Sequence, residues 1–319
     1  MALDAPLRGV IPPVCTPLNS AGDIDTPSLA RLVDHLIAGG VHGLFALGST
    51  SEVAYLTDTQ RATVLETVVR TAAGRVPVLA GVIDTTTQRV LDHARNAAEL
   101  GADGLVATAP FYTRTHPVEV ARHFRRVRER VELPLFAYDL PVSVHTKLSS
   151  GLVRELAEDG TLAGLKDSSG DEGGLRRLIV DLGGREGRAS GPAARFSILT
   201  GAELTVDAAL LAGADGFVPG LGNVDPAAYV RLYEAARAGD WELAAKEQER
   251  LVRLFDITDV GPEAEMGRSS SALGSFKGAL RQLGVIDCGD TAFPQVQLGE
   301  AALSQLSRRL GDVGLLPAR

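Results

Sequence analysis

A short apolar segment, a turn and an amphipathic helix follow one another eight times between residues 9 and 238 of this 319-residue chain. Three connections from a helix back to a strand share one pattern, in which one glycine ends the helix and a second opens the strand. They are Gly40-Val-His-Gly43, Gly101-Ala-Asp-Gly104 and Gly213-Ala-Asp-Gly216. Eight such units, spaced by about 30 residues, predict an α/β protein with a (β/α)8 barrel.

The predicted strands are short apolar runs bounded by turn residues, as is typical of a buried parallel sheet. They are residues 9–15, 43–48, 76–81, 104–109, 135–138, 162–166, 196–200 and 216–218. A doubly wound open sheet is the alternative fold. It is disfavoured because no Gly-x-Gly-x-x-Gly pattern follows the first strand.

Two segments depart from the repeat. Residues 183–194 are rich in glycine, arginine and alanine, which predicts an exposed loop before the seventh strand. After residue 238 the strand pattern stops. Helices are predicted there at 241–258, 275–283 and 298–310, with a linker-like break at 261–271. We therefore expect a catalytic barrel over residues 1–238 and a helical C-terminal extension over residues 239–319.

Composition excludes several classes of function. The net charge of -8 disfavours a nucleic acid or an anionic membrane as the main partner. Cys15 and Cys288 lie far apart in sequence, so neither a disulfide framework nor a metal knuckle is expected. Neither a signal-peptide pattern nor an apolar run of membrane-spanning length is found. These features predict a cytoplasmic protein.

One lysine stands out by its position. The 32 basic residues include only four lysines, and Lys166 ends the predicted strand 162–166. Asp167-Ser-Ser-Gly170 follows, which is turn and helix-cap chemistry. Desolvation favours the neutral form of a buried amine, which is the nucleophilic form. A strand-end lysine that turns out to solvent is the alternative, and the strand context alone leaves both open.

Other reactive side chains are predicted at the ends of neighbouring strands, where barrel enzymes place their active sites. The turn Gly48-Ser-Thr-Ser-Glu52 offers hydrogen-bond donors for an anion. The same sequence is also typical of an ordinary N-terminal helix cap. Tyr112 and Tyr138 follow strands four and five and could carry protons, or simply pack as aromatic groups. Their coincidence with Lys166 in one barrel favours a Schiff-base lyase acting on a 2-oxo acid.

The motifs together resemble those of the dihydrodipicolinate synthase / N-acetylneuraminate lyase family of class I aldolases, over residues 9–284. The resemblance rests on Gly48-Ser-Thr-Ser-Glu52, Pro110-Phe-Tyr112, Tyr138-Asp-Leu-Pro141, Gly164-Leu-Lys-Asp-Ser-Ser169 and Gly216-Phe-Val-Pro-Gly-Leu-Gly-Asn223. It implies a (β/α)8 barrel with a C-terminal helical extension and a tetramer built as a dimer of dimers. It also implies an imine between the strand-six lysine and pyruvate. We expect no cofactor or metal, because the imine itself is the electron sink.

The resemblance also implies roles for individual residues. Lys166 would form the imine, and Tyr138 would shuttle protons. Tyr112 would reach across a dimer interface and complete a relay through Thr50, which would also bind the carboxylate of the 2-oxo acid. The remaining pocket residues implied by the resemblance, around the carboxylate and the imine, are Gly48, Ser49, Gly201 and Val218.

Three positions depart from the family pattern. Ser51 stands where the family usually has glycine, and Asp139 where it has asparagine. Ser143 stands where the synthase branch has the arginine that binds the carboxylate of aspartate semialdehyde. Losing a bidentate guanidinium counts against that substrate. We expect Ser143, His145 and Thr146 to form a polar pocket for a hydroxylated or neutral aldehyde.

Three functional hypotheses follow. The favoured one is an aldolase that cleaves a 2-oxo-3-deoxy sugar acid to pyruvate and an aldehyde. The second is 4-hydroxy-tetrahydrodipicolinate synthase, or a related dehydratase using the same imine chemistry. The third is a binding protein that kept the barrel but lost turnover. The intact Lys166, Tyr138 and Tyr112 speak against the third hypothesis, and Ser143 speaks against the synthase.

Overall fold

The computed structural model describes residue 3, residues 6–184 and residues 192–317. In these ranges eight parallel strands form one sheet in the order β1-β8-β7-β6-β5-β4-β3-β2. The strands are β1 (Gly9–Val10), β2 (Leu44–Ala46), β3 (Val78–Gly81), β4 (Gly104–Thr108), β5 (Leu135–Asp139), β6 (Gly164–Asp167), β7 (Ser197–Thr200) and β8 (Gly216–Phe217).

The sheet closes between β2 and the residues that follow β1. Phe45 N donates to Pro12 O at 3.0 Å, and Val14 N donates to Phe45 O at 2.9 Å. A parallel bridge between Pro13 and Phe45 lies between these two bonds. The predicted (β/α)8 barrel is therefore confirmed. The first strand is shorter than its predicted range because Pro12 and Pro13 have no N–H to give to a ladder.

The helices alternate with the strands and then continue past the barrel. They are α1 (Thr26–Ala38), α2 (Asp58–Ala72), α3 (Thr87–Glu99), α4 (Pro117–Arg130), α5 (Pro141–Val144), α6 (Ser150–Glu158), α7 (Glu172–Asp181), α8 (Val206–Ala212), α9 (Pro226–Ala238), α10 (Trp241–Phe255), α11 (Arg268–Gln282) and α12 (Glu300–Asp312). The predicted capping box is present, since Thr57 accepts from Gln60 N and Gln60 accepts from Thr57 N. None of the helices in the described part of the chain combines the length and apolar character of a membrane span.

The predicted linker at 261–271 is wrong at its end, because α11 already begins at Arg268. Its serine-rich first turn lacks an apolar pattern, yet Ser271 is buried and donates to Thr258 O at 2.6 Å. The short helix α5 was not predicted. Most of the predicted exposed loop, residues 185–191, lies outside the described residues.

Two apolar cores organise the barrel. The larger core lies between the sheet and the surrounding helices. The smaller fills the barrel interior and consists of Leu7, Ile11, Phe45, Leu79, Val106, Phe136, Tyr138, Leu199 and Val218. Tyr138 is the one polar member of this inner core. A buried phenol needs a hydrogen-bond partner, so its hydroxyl marks a polar spot at the end of the barrel interior.

Candidate active site

Lys166 and Tyr138 lie side by side at the C-terminal ends of β6 and β5, where they are paired in the strand register. Lys166 is 5% exposed and Tyr138 is 3% exposed. The Lys166 Nζ atom lies 3.9 Å from the ring centroid of Tyr138 and 4.8 Å from that of Phe45. The alternative of a solvent-facing lysine is therefore wrong. The amine points into the barrel against two aromatic faces.

The other lysines with described partners are held in ion pairs. Lys147 binds the carboxylate of Asp139, and Lys277 binds that of Glu52. No carboxylate among the residues that the structure describes forms an ion pair with Lys166. Its amine is consequently not engaged by a described carboxylate, and the residue lines a cavity.

The predicted anion-binding turn follows β2 as a single 3₁₀ turn, Ser49–Ser51. The Ser49 Oγ atom lies 3.4 Å from the Tyr138 hydroxyl, so the turn and the phenol share a hydrogen bond. Thr50 is half-buried and lines the same cavity as Lys166. The structure thus brings the turn, the phenol and the amine together.

Ser51, which stands in place of the family's glycine, supports this turn from behind. Its Oγ accepts from Gly48 N at 3.2 Å and donates to Val14 O at 2.5 Å. Both partners are backbone groups and the residue is fully buried. Ser51 therefore shapes the turn and is not available to a substrate.

A cavity of about 200 Å³ opens at the C-terminal ends of the strands. Its wall contains five residues predicted for the site: Thr50, Tyr138, Lys166, Gly201 and Val218. Gly201 leaves room for the Ser168 side chain, because a Cβ atom would approach the Ser168 Oγ to 2.2 Å. The opposite wall belongs to the C-terminal helices and contains Phe255, Thr258, Arg268, Ala272 and Phe276.

Six residues predicted for the site do not line this cavity: Gly48, Ser49, Tyr112, Ser143, His145 and Thr146. Tyr112 is 94% exposed and has φ 76°, so its side chain does not contribute to the cavity of this chain. Ser143 and His145 are exposed as well. Helix α5 turns this segment outward and buries Val144 instead. Within the single chain, the expected polar pocket around Ser143 and His145 is therefore not formed.

Arg268 was missed by the sequence analysis because it fell in the predicted linker. It lies on one face of α11 with Ala272 and Phe276, at intervals of four residues, and this face lines the cavity. The cavity therefore has a guanidinium, although not at the position of Ser143. A cation is available at the cavity wall formed by the C-terminal extension.

Glu203 is a second cavity residue that the sequence analysis missed. Its carboxylate accepts from Gly220 N at 2.8 Å, Leu221 N at 3.0 Å and the Tyr229 hydroxyl at 2.6 Å. Burial raises the pKa of Glu203 to about 7, although these donors and the charge of Lys166 oppose the shift. Its position two residues after Gly201, just beyond a strand end, is the signal that could have identified it.

The raised pKa of Glu203 predicts a pH-dependent contribution to stability. Over pH 4.5 to 7 the folded protein keeps a proton that the unfolded chain has released. The contribution is complete below pH 4.5 and is lost as pH rises through 7. We expect it to reach about 3 kcal/mol at most.

The difference in free energy of unfolding between wild type and Glu203→Gln isolates this one group, because all other titrations cancel. Urea denaturation at several pH values should show the wild type losing stability relative to the variant as pH rises from 4.5 to 7. A difference that is flat with pH, or that rises, would contradict the raised pKa.

Asp139 stands in place of the family's asparagine and is 1% exposed. It binds Lys147 and accepts from Leu148 N at 3.1 Å. Burial raises the pKa of Asp139, while Lys147 and the hydrogen bonds oppose the shift. This carboxylate anchors the segment that follows α5. Among the described residues, no group of three or more histidine, cysteine or acidic side chains is placed to hold a metal ion.

Comparison with known proteins agrees with this geometry. Residues 6–287 match the model of the dihydrodipicolinate synthetase family. A DapA-like lyase of Halobacterium salinarum is 34% identical over 97% of this chain and 95% of its own length. A 4-hydroxy-tetrahydrodipicolinate synthase of Phenylobacterium zucineum is 31% identical over 98% of this chain and all of its own length.

The third relative is YagE of Escherichia coli K12, named as a candidate 2-dehydro-3-deoxy-D-gluconate aldolase. It is 32% identical over 80% of this chain and 82% of its own length. The crystal structure of YagE in complex with pyruvate superposes with a TM-score of 0.89, covering 98% of this chain and 100% of YagE. The chain belongs to the dihydrodipicolinate synthetase family. It is an enzyme of the lyase and aldolase class.

Proposed function

We propose that this chain is a class I aldolase whose Lys166 forms a Schiff base with pyruvate or another 2-oxo acid. The proposed reaction is the reversible cleavage of a 2-oxo-3-deoxy sugar acid to pyruvate and an aldehyde. The observation that carries the proposal is the buried Lys166 amine, 3.9 Å from the ring of Tyr138. The naming of YagE as an aldolase and its crystallisation with pyruvate support it.

In the proposed mechanism the amine of Lys166 attacks the C2 carbonyl. The Tyr138 phenol protonates the hydroxyl that leaves as water, which gives an iminium ion and a phenolate. Tyr138 then accepts the proton of the C4 hydroxyl. The electrons of the C3–C4 bond move into the iminium ion, which gives an enamine and releases the aldehyde. Tyr138 gives that proton to C3 of the enamine. Water then hydrolyses the pyruvate iminium ion, and the proton released in this step restores the Tyr138 phenol. Each step needs only a nucleophile and one proton carrier.

The turn residues Ser49 and Thr50 are proposed to bind the carboxylate of the 2-oxo acid. Their hydroxyls and the N–H groups of a 3₁₀ turn are the donors that a carboxylate prefers. The contact between Ser49 and Tyr138 supports this placement, because it sets the carboxylate site beside the proton carrier. Gly201 and Val218 are proposed to leave room for the imine carbon chain.

The aldehyde half of the substrate distinguishes two branches of the family. Ser143 cannot supply the guanidinium of the synthase branch, which favours a sugar-acid aldolase. Arg268 provides a cation on the other wall, which is the observation that keeps the synthase as a second candidate. We favour the aldolase, because Arg268 lies on α11, whereas the arginine of the synthase branch would stand at position 143 on α5.

The aldolase proposal predicts that, with pyruvate as partner, glyceraldehyde has a higher kcat/KM than aspartate semialdehyde. Arg268→Gln should lower kcat/KM for aspartate semialdehyde by about tenfold, since a charge-assisted hydrogen bond contributes roughly 1.5 kcal/mol or more. It should change the value for glyceraldehyde by much less. Steady-state kinetics with both aldehydes measures these ratios.

Arg253→Gln is the matched control, because Arg253 is a solvent-exposed arginine on α10 that pairs with Glu249. The values of kcat/KM for aspartate semialdehyde and for glyceraldehyde should both be the same in this variant as in wild type. A wild type that strongly prefers aspartate semialdehyde would contradict the aldolase proposal and support the synthase.

A homo-oligomer is part of the proposal, with a dimer of dimers as the expected form. Tyr112 is 94% exposed, and its φ of 76° is a left-handed conformation that is strained for a residue other than glycine. We infer that it reaches the site of a neighbouring subunit and completes a relay through Thr50. Sedimentation equilibrium that finds only monomers would contradict this inference. Residues 1–238 are proposed as the catalytic barrel and residues 239–319 as its extension.

A further inference from the structure

Glu52 ends the proposed carboxylate-binding turn and is itself buried. Its N–H donates to Ser49 O at 3.0 Å, which closes the 3₁₀ turn Ser49–Ser51. Glu52 has φ 59°, and Leu47 on the other side of the turn has φ 60°. Left-handed residues other than glycine are strained, and they persist only where surrounding contacts hold them. Something must therefore hold this turn in place.

The contacts that hold Glu52 come from the C-terminal extension. One carboxylate oxygen accepts from the Lys277 Nζ atom at 2.7 Å. The other accepts from Ala292 N at 2.6 Å and from Gln295 Nε2 at 3.0 Å. The side chains of Glu52 and Lys277 are both fully inaccessible to solvent. The turn is thus hydrogen-bonded to α11 and to the loop that follows it, more than 200 residues later in the chain.

A gain in stability alone does not explain this pair. Moving two charges out of water costs about as much as their attraction returns, and apolar residues of the same size often fold equally well. A buried and fully hydrogen-bonded carboxylate does, however, permit only one arrangement of its backbone. In the described part of the chain, neither Glu52 nor Lys277 lines the cavity. Neither residue is therefore placed to touch a substrate.

We propose that Glu52 and Lys277 are positioning residues through which the C-terminal extension sets the geometry of the carboxylate-binding turn. The pair would hold Ser49 and Thr50 at the distance from Lys166 that a 2-oxo acid needs. Helix α11 both holds the turn and lines the cavity, because it carries Lys277 and also presents Phe276 and Arg268 to the cavity. This inference rests on the proposed function, in which the turn binds a carboxylate.

The test compares pyruvate with methyl pyruvate, which has the same carbonyl group but no negative charge. Imine formation is measured by trapping with borohydride over a range of concentrations and counting the added mass. Lys277→Met keeps the length of the side chain and removes its charge. Gln295→Met removes a single hydrogen bond and leaves the ion pair intact, so it remains informative if Lys277→Met does not fold.

Arg250→Met is the control. Arg250 lies in the extension and forms a partly buried ion pair with Asp225 of the barrel at 2.6 Å, away from the turn. This variant should lose thermal stability without changing the preference for pyruvate over its methyl ester. Comparison with this control shows whether the lost preference for pyruvate comes from a change in the turn or from lower stability of the whole protein.

We expect wild type to be trapped at lower concentrations of pyruvate than of methyl pyruvate. In Lys277→Met the ratio of these two concentrations should fall by about tenfold, which corresponds to the free energy of one charge-assisted hydrogen bond. Gln295→Met should show a smaller loss in the same direction. If the preference is unchanged in both variants while wild type still traps pyruvate, the inference is overturned and the proposed function stands. If wild type traps neither compound, the proposed function fails and the inference fails with it.

Discussion

Replacement of Lys166 by alanine is expected to abolish imine formation and to lower kcat by about 10⁴-fold or more, as the loss of a covalent nucleophile does. Among the described residues that line the cavity, Lys166 is the only one with an amine. Lys147 and Lys277 are engaged with Asp139 and Glu52. Incubation with pyruvate and borohydride, followed by peptide mass analysis, should place the added mass of the wild type on Lys166. The alanine variant should show no added mass.

Lys246→Ala is the matched control for this experiment. Lys246 lies on α10, and its amine is exposed to solvent, whereas that of Lys166 is buried in the barrel. Its variant should be labelled and should turn over like wild type. If Lys166→Ala were labelled as well as wild type, the assignment of the nucleophile would be wrong.

Most of the barrel could be predicted from the sequence because its signals are local. Apolar runs, glycine-bounded connections and the Thr57 capping box each depend on a few consecutive residues, and the structure contains the corresponding elements. The start of α11 could not be predicted in this way. Its first turn is polar and is buried through hydrogen bonds of Ser271 instead of through an apolar face.

The same distinction applies to the site. Lys166, Tyr138 and Thr50 stand at strand ends, so one rule about barrels was enough to group them. Arg268 and Lys277 reach the site from the C-terminal extension, and no short motif indicates which barrel residues they meet. The partners Glu52 and Lys277 are 225 residues apart. Contacts of this kind depend on how whole elements pack, which sequence periodicity does not describe.

The environment of Tyr138 gives it the properties of a proton carrier. Burial by itself raises the pKa of a phenol. Here the positive charge of Lys166, together with hydrogen bonds to Ser49, Lys166 and Ser168, outweighs burial and holds the pKa of Tyr138 below its ordinary value of 10.0. The phenol therefore releases its proton more readily than tyrosine in water. This property suits a group that first gives its proton to the departing hydroxyl and then, as a phenolate, accepts one from the substrate hydroxyl.

Tyr138→Phe is consequently expected to lower kcat by about 10²- to 10⁴-fold, the usual contribution of general acid–base catalysis. Trapping with pyruvate and borohydride should still label Lys166, because the nucleophile remains. The wild-type pH profile should contain an ionisation below pH 10.0 that the variant lacks. Tyr233→Phe removes the same atom from a tyrosine on α9 and should leave kcat unchanged. Equal turnover of Tyr138→Phe and wild type would show that the proton is carried by another group, and Thr50 would then be the next residue to replace.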